Sequence, residues 1–174
     1  SSLMYARYDG TSWQAEEVDN GGSSGTYSSI AIDPSGNPHI SYINTTPNPD
    51  AVMYAHHNGT AWTTEVIDAT PYYAYDTSID LDSSGNPHIS YAVYNNTGNS
   101  YNLRYSYHNG SEWVYDDIKD YRGSFWNSYS NTGKNNQIKL NGTDVPHIVF
   151  FDDYYDDVYL SVRINGTWSS SSVD

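Results

Sequence analysis

The chain has 174 residues, 37% of them hydrophobic and 16% aromatic, and its 21 acidic against 7 basic residues give a formal charge of −14. A chain of this length can bury a core of its own, but so negative a balance argues against nucleic acid or an anionic membrane surface as a partner and in favour of cations. There is no cysteine for disulfides or thiolate sites, and no run approaches the roughly 18 apolar residues of a membrane-spanning helix.

Two kinds of segment alternate along the chain. The first, LMYARYDGTSW from Leu3, returns as VMYAHHNGTAW from Val52, LRYSYHNGSEW from Leu103 and VYLSVRINGTW from Val158. Its tryptophans, Trp13, Trp62, Trp113 and Trp168, lie 49, 51 and 55 residues apart. The second, SIAIDPSGNPHISY from Ser29, returns as SIDLDSSGNPHISY from Ser78 and QIKLNGTDVPHIVF from Gln137, and the octapeptide SGNPHISY is identical in the first two copies.

Each kind predicts a β-hairpin. Ile30 and Ile32, then Ile40 and Tyr42, alternate with smaller or polar residues around a turn rich in Pro, Gly, Asn and Asp, which is the period of a half-buried strand. In the other kind, Met53 and Ala55 alternate with Tyr54 and His56 ahead of an Asn58-Gly59 turn. No window carries a helical period. Two hairpins make a four-stranded antiparallel unit, and such units fall at about 28–68, 77–120 and 136–174, while 1–19 holds only the last two strands of another.

Units of four short strands at this spacing have the size of propeller blades. SIAIDPSGNPHISY, followed by MYAHHNGTAW and the acidic end EVID, resembles the propeller-like repeats of large secreted prokaryotic surface proteins. The likeness spans most of the chain and weakens between Tyr121 and Asn136. It implies an all-β, propeller-type fold of about three and a half four-stranded antiparallel blades and, by itself, says little of activity.

Seven hairpins do not fill units that use them in pairs. A small ring could close with one two-stranded blade, two chains could pool their halves into a seven-bladed ring, or the open edge could take strands from another copy and build a head-to-tail filament. The expected protein is extracellular or cell-surface, non-enzymatic and structural or adhesive, with copies of itself as partners.

Candidate binding chemistry is acidic or aromatic. Asp152, Asp153, Asp156 and Asp157 crowd one turn of the last unit, and a hard cation such as Ca²⁺ would relieve their repulsion. Asp33 and Asp82 open turns with further oxygen donors and either add to such sites or cap their own hairpins; Asp116, Asp117 and Asp120 form a smaller group. His39, His88 and His147 recur once per unit, either to converge on a metal or to bond within their own blades. The alternative function is carbohydrate binding, with Tyr72, Tyr73, Tyr75, Phe125 and Trp126 as stacking surfaces. Sequons at Asn44, Asn58, Asn95, Asn109, Asn141 and Asn165 suit a glycoprotein, although four of the six are also Asn-Gly turn signals. No nucleophile elbow, zinc-protease helix or phosphate loop is present.

Overall fold

The computed structural model describes residues 1–46, 49–69, 72–95, 100–118, 132–153 and 155–173, which form fourteen strands and no helix. β1 (Leu3–Tyr8) and β2 (Trp13–Asp19) pair as an isolated hairpin. Three four-stranded meanders follow. The first is β3 (Ser24–Ile32), β4 (Pro38–Asn44), β5 (Ala51–His57) and β6 (Trp62–Asp68); the second is β7 (Tyr73–Leu81), β8 (Pro87–Asn95), β9 (Ser100–His108) and β10 (Trp113–Ile118). The third is β11 (Thr132–Leu140), β12 (Pro146–Asp152), β13 (Asp157–Ile164) and β14 (Thr167–Ser172). All pairings are antiparallel, so the fold is all-β and propeller-type, with about three and a half repeats.

The turns fold on local chemistry. Asp33 Oδ1 accepts hydrogen bonds from the Ser35 and Asn37 N–H groups at 2.8 and 2.7 Å, and Oδ2 accepts from Asn37 Nδ2 at 2.9 Å. Gly36 supplies the left-handed conformation, with φ of 86°, that a side chain would resist. Asp82 repeats the pattern at 2.9, 2.7 and 2.9 Å. Asn58 and Asn109 cap the β5–β6 and β9–β10 turns in the same manner.

The first strands of the three full sheets, β3, β7 and β11, begin at Ser24, Tyr73 and Thr132, earlier than the alternation alone indicates. In each, a residue with positive φ, Tyr27 at 52°, Asp76 at 51° and Asn135 at 49°, accompanies a shift of register. Such a bulge resets which face the following side chains occupy, and it hid the first part of each strand from a period-2 reading.

The core lies between successive sheets. Ile43, Val52 and Tyr54 of the first full sheet meet Ala74, Ile79, Ile89, Tyr91 and Val93 of the second; Leu103, Tyr105 and Ile118 of the second meet Ile138, Ile148, Phe150 and Tyr159 of the third. Leu3 and Val18 of the isolated hairpin pack on Ile40, Tyr42, Ala51, Met53 and Ala55. A tyrosine of one unit meets the tryptophan of the next edge-on in all three junctions: Tyr5–Trp62 at 5.4 Å, Tyr54–Trp113 at 5.3 Å and Tyr105–Trp168 at 5.1 Å between centroids. Polar bonds repeat too. Thr77 Oγ1 donates to the Tyr27 carbonyl at 2.6 Å and accepts from Ser41 Oγ at 2.8 Å; Asn136, one unit on, joins the Asp76 carbonyl and Ser90 Oγ, each at 2.5 Å.

Candidate functional site

Three strand ends of the second full sheet bring tyrosines together. Tyr73 lies opposite Tyr94 and Tyr94 opposite Tyr101 across β7, β8 and β9, and Tyr75, two residues from Tyr73, shares its face. The rings follow one another edge-on or tilted: Tyr72–Tyr73 at 4.8 Å, Tyr73–Tyr94 at 6.0 Å, Tyr94–Tyr101 at 5.0 Å and Tyr75–Tyr101 at 5.3 Å. The β3 bulge turns Tyr27 onto Tyr75 at 5.4 Å, so the preceding sheet contributes a sixth ring. Tyr27, Tyr72 and Tyr73 are 46%, 41% and 44% exposed. Burial, and after it the hydrogen bond with Tyr101, pushes the Tyr75 phenol well above the usual tyrosine range. Lys134, ion-paired with Asp153 at 3.0 Å, sits 5.9 Å from the Tyr101 ring centre. The result is a ledge of six neighbouring tyrosine rings, three of them exposed.

Tyr72, Tyr73 and Tyr75 are thus gathered in one place. Their companions Tyr27, Tyr94 and Tyr101 escaped sequence reasoning because no spacing signals a meeting of separate strand ends; Phe125 and Trp126 lie outside the described residues.

Of the acidic candidates, Asp33, Asp82, Asp116, Asp117, Asp152 and Asp153 have partners within the protein. Asp33 and Asp82 cap their hairpins as described, and their carboxyls are held below the usual range, for Asp33 chiefly by the bonds from Asn37, for Asp82 by its bonds against an opposing desolvation. Asp152 is buried and accepts from Thr132 Oγ1 at 3.3 Å, and Asp153 meets Lys134. Asp156 and the half-buried Asp157 flank the start of β13. Asp116 meets Arg163 at 3.0 Å and Asp117 meets Arg104 at 2.6 Å; Asp120 lies outside the described residues. Among the described residues no three His, Cys, Asp or Glu side chains are grouped as a metal would require.

The recurrent histidines bond within their own blades. The Tyr54 hydroxyl meets His39 Nδ1 at 2.5 Å, and the Tyr105 hydroxyl meets His88 Nδ1 at 2.6 Å. In the third sheet Leu160 replaces that tyrosine, and His147 Nδ1 turns to the Val145 carbonyl at 3.0 Å. Among the sequons, Asn44 is buried, its amide donating to the Gly21 carbonyl at 3.1 Å. A glycan there would break that bond and the packing around it, which removes Asn44 from the acceptor set. Asn58, Asn109, Asn141 and Asn165 sit on exposed turns, and the Asn95 side chain lies outside those described.

A concavity of about 270 Å³ opens where the isolated hairpin meets the first full sheet, with Tyr5, Arg7 and Glu16 on one side and Asn37 and His57 on the other. Glu16 and Tyr5 are cross-strand partners, and Arg7 is two residues from Tyr5. At the last junction the corresponding space is occupied by Arg163, which reaches Asp116 and lies 5.8 and 5.4 Å from the Tyr105 and Tyr107 rings.

Neither a family model nor a curated protein matches the chain. Solved structures do. A fucose lectin from Kordia zhangzhouensis, in complex with methyl-fucoside, is 15% identical with a TM-score of 0.52, over 83% of this chain and 96% of that one. A candidate glycosidase from Bacteroides thetaiotaomicron is 13% identical with a TM-score of 0.54, over 90% of this chain and 52% of that one, so the chain spans about half its length. The likeness is one of fold. Propeller-type sheets like these carry many chemistries, and what the present one does rests on its own surfaces.

Proposed function

We propose that the protein is a carbohydrate-binding module and that the tyrosine ledge is where it holds the sugar. The observation that carries this reading is the exposure of the Tyr72 and Tyr73 rings, which continue through Tyr94, Tyr101 and Tyr75 to Tyr27 in one run of ring contacts. A pyranose has an apolar face that stacks on such rings and hydroxyls that bond to phenols. The rings are braced by one another, so little side-chain freedom is lost on binding. Exposed rings and phenols suit recognition, and the reading is of a non-enzymatic module. Kinship of fold with a fucose lectin adds support. An extracellular or cell-surface setting, where glycans and glycosylated turns meet, fits the same reading.

The test is a glycan array followed by titration of the best hit, with methyl-fucoside as the first single probe, monitored by tyrosine fluorescence and by calorimetry. Binding is expected to fall about tenfold or more in Tyr72→Ala and Tyr73→Ala, a loss of roughly 1.4 kcal/mol or more, with the melting midpoint kept because both rings are open to solvent. Arg7→Ala, at the concavity beside the isolated hairpin, should leave affinity unchanged. An array without hits, or affinity indifferent to both tyrosines, would remove the proposal.

A further inference from the structure

β1 holds in the first unit the place that β5, β9 and β13 hold in the others. Those three are paired on both sides, whereas among the described residues β1 pairs with β2 alone. Its other edge therefore offers backbone N–H and C=O groups to a groove of about 470 Å³ between Leu3, Tyr5 and Ala6 on one wall and Ser28 and Ile30 on the other, floored by Ile40. An open strand edge beside apolar side chains is a site for strand addition.

Repetition shows what such a groove holds. Ile30 corresponds to Ile79 and Ile138, yet it is 51% exposed where they are 2% and 0%. Ile79 is covered by Ile43 from the first two strands of the preceding sheet. Ser28 corresponds to Thr77 and Asn136, which are buried and bonded to the preceding sheet's bulge carbonyl and second-strand serine; Ser28 is exposed. The N–H groups of Ile79 and Ile138 donate to Ser29 Oγ of β3 and Ser78 Oγ of β7, the first strands of the preceding sheets, at 3.3 and 3.1 Å, and Ile30 is the residue in that position at the groove. Tyr5 stands where Tyr54 and Tyr105 stand, and they bond the histidine of the strand alongside.

We infer that this groove binds, by strand addition, a two-stranded hairpin of the chain's own SIAIDPSGNPHISY type. The register of β4 on β5, in which Ile40, Ser41 and Tyr42 face Ala55, Tyr54 and Met53, sets the guest's Ile, Ser and Tyr opposite Ala6, Tyr5 and Met4. Its histidine then reaches the Tyr5 hydroxyl, and the aliphatic residue after its tyrosine covers Ile30. The site is separate from the tyrosine ledge and stands whether or not that surface binds sugar.

The experiment uses the full chain and a fluorescent synthetic peptide with the sequence of residues 28–44, followed by anisotropy. Saturable one-to-one binding is expected, absent for a scrambled peptide and weakened about tenfold or more by Ile30→Asp in the protein. Ile30 is half exposed, so this variant should keep its melting midpoint. Ser28→Trp, which fills the groove from its rim, is the independent variant and should weaken binding as strongly. Failure of the peptide to saturate the wild-type chain, or equal affinity for the wild type and both variants, would overturn the inference.

Discussion

The isolated hairpin and the three full sheets are written in the same residue pattern, and they differ in what those residues achieve. Trp62, Trp113 and Trp168 each pack edge-on against the tyrosine of the preceding unit; Trp13, in the isolated hairpin, is 71% exposed. Ile30 and Ile79 diverge in the same way. Strand formation is local, whereas burial belongs to the junction, so one motif contributes little stability at the end of the array and much within it. This is the behaviour of repeat proteins stabilised by neighbour contacts.

The sharpest way to break the comparison is to truncate equivalent side chains. Ile79→Ala should cost about 2–5 kcal/mol, the range for an aliphatic residue removed from a packed core, and Ile30→Ala no more than about 0.5 kcal/mol. Urea unfolding of the two variants measures the difference directly; similar losses would mean that Ile30 is already covered in solution.

A smaller effect separates the paired histidines from their surroundings. Burial is the main cause that holds His39 and His88 below the ordinary histidine pKa of 6.5, with His56 adding to it at His39, against the pull of Asp33 and Asp82. The unfolded chain therefore takes up these protons at higher pH than the folded one. The stability tied to them is complete above about 6.5 and declines as the pH falls below it. The urea midpoint of the wild type should drop between pH 7 and pH 5, and it should drop less in His39→Leu and His88→Leu. A pH response as steep in both variants as in the wild type would assign it elsewhere.

The smallest effect is expected at the acidic turn of the last sheet. Asp152 and Asp153 already have partners in Thr132 and Lys134, so millimolar Ca²⁺ should leave the melting midpoint nearly unchanged. A rise that vanishes when Asp156 and Asp157 become Asn would instead identify that turn as a cation site.

Much of the fold could be read from residues alone because its signals are short-range. The turn at Asp33 is completed by Ser35 and Asn37, and the alternation of Ile30 with Ile32 and of Ile40 with Tyr42 needs no knowledge of the rest of the chain. The candidate site was legible only in part. Tyr72, Tyr73 and Tyr75 are adjacent in the chain and visible as an aromatic cluster, whereas Tyr27, Tyr94 and Tyr101 join them through a bulge and two strand registers.

The sequence by itself determined the repeat and its hairpins, because each depends on alternation and on side chains that bond within a few residues. The tertiary structure alone decided that Ile30 lies open while Ile79 is closed, that Asn44 is buried, and that six tyrosines share one ledge. Those outcomes depend on which sheet stands next to which, and identical stretches of chain carry no record of their neighbours.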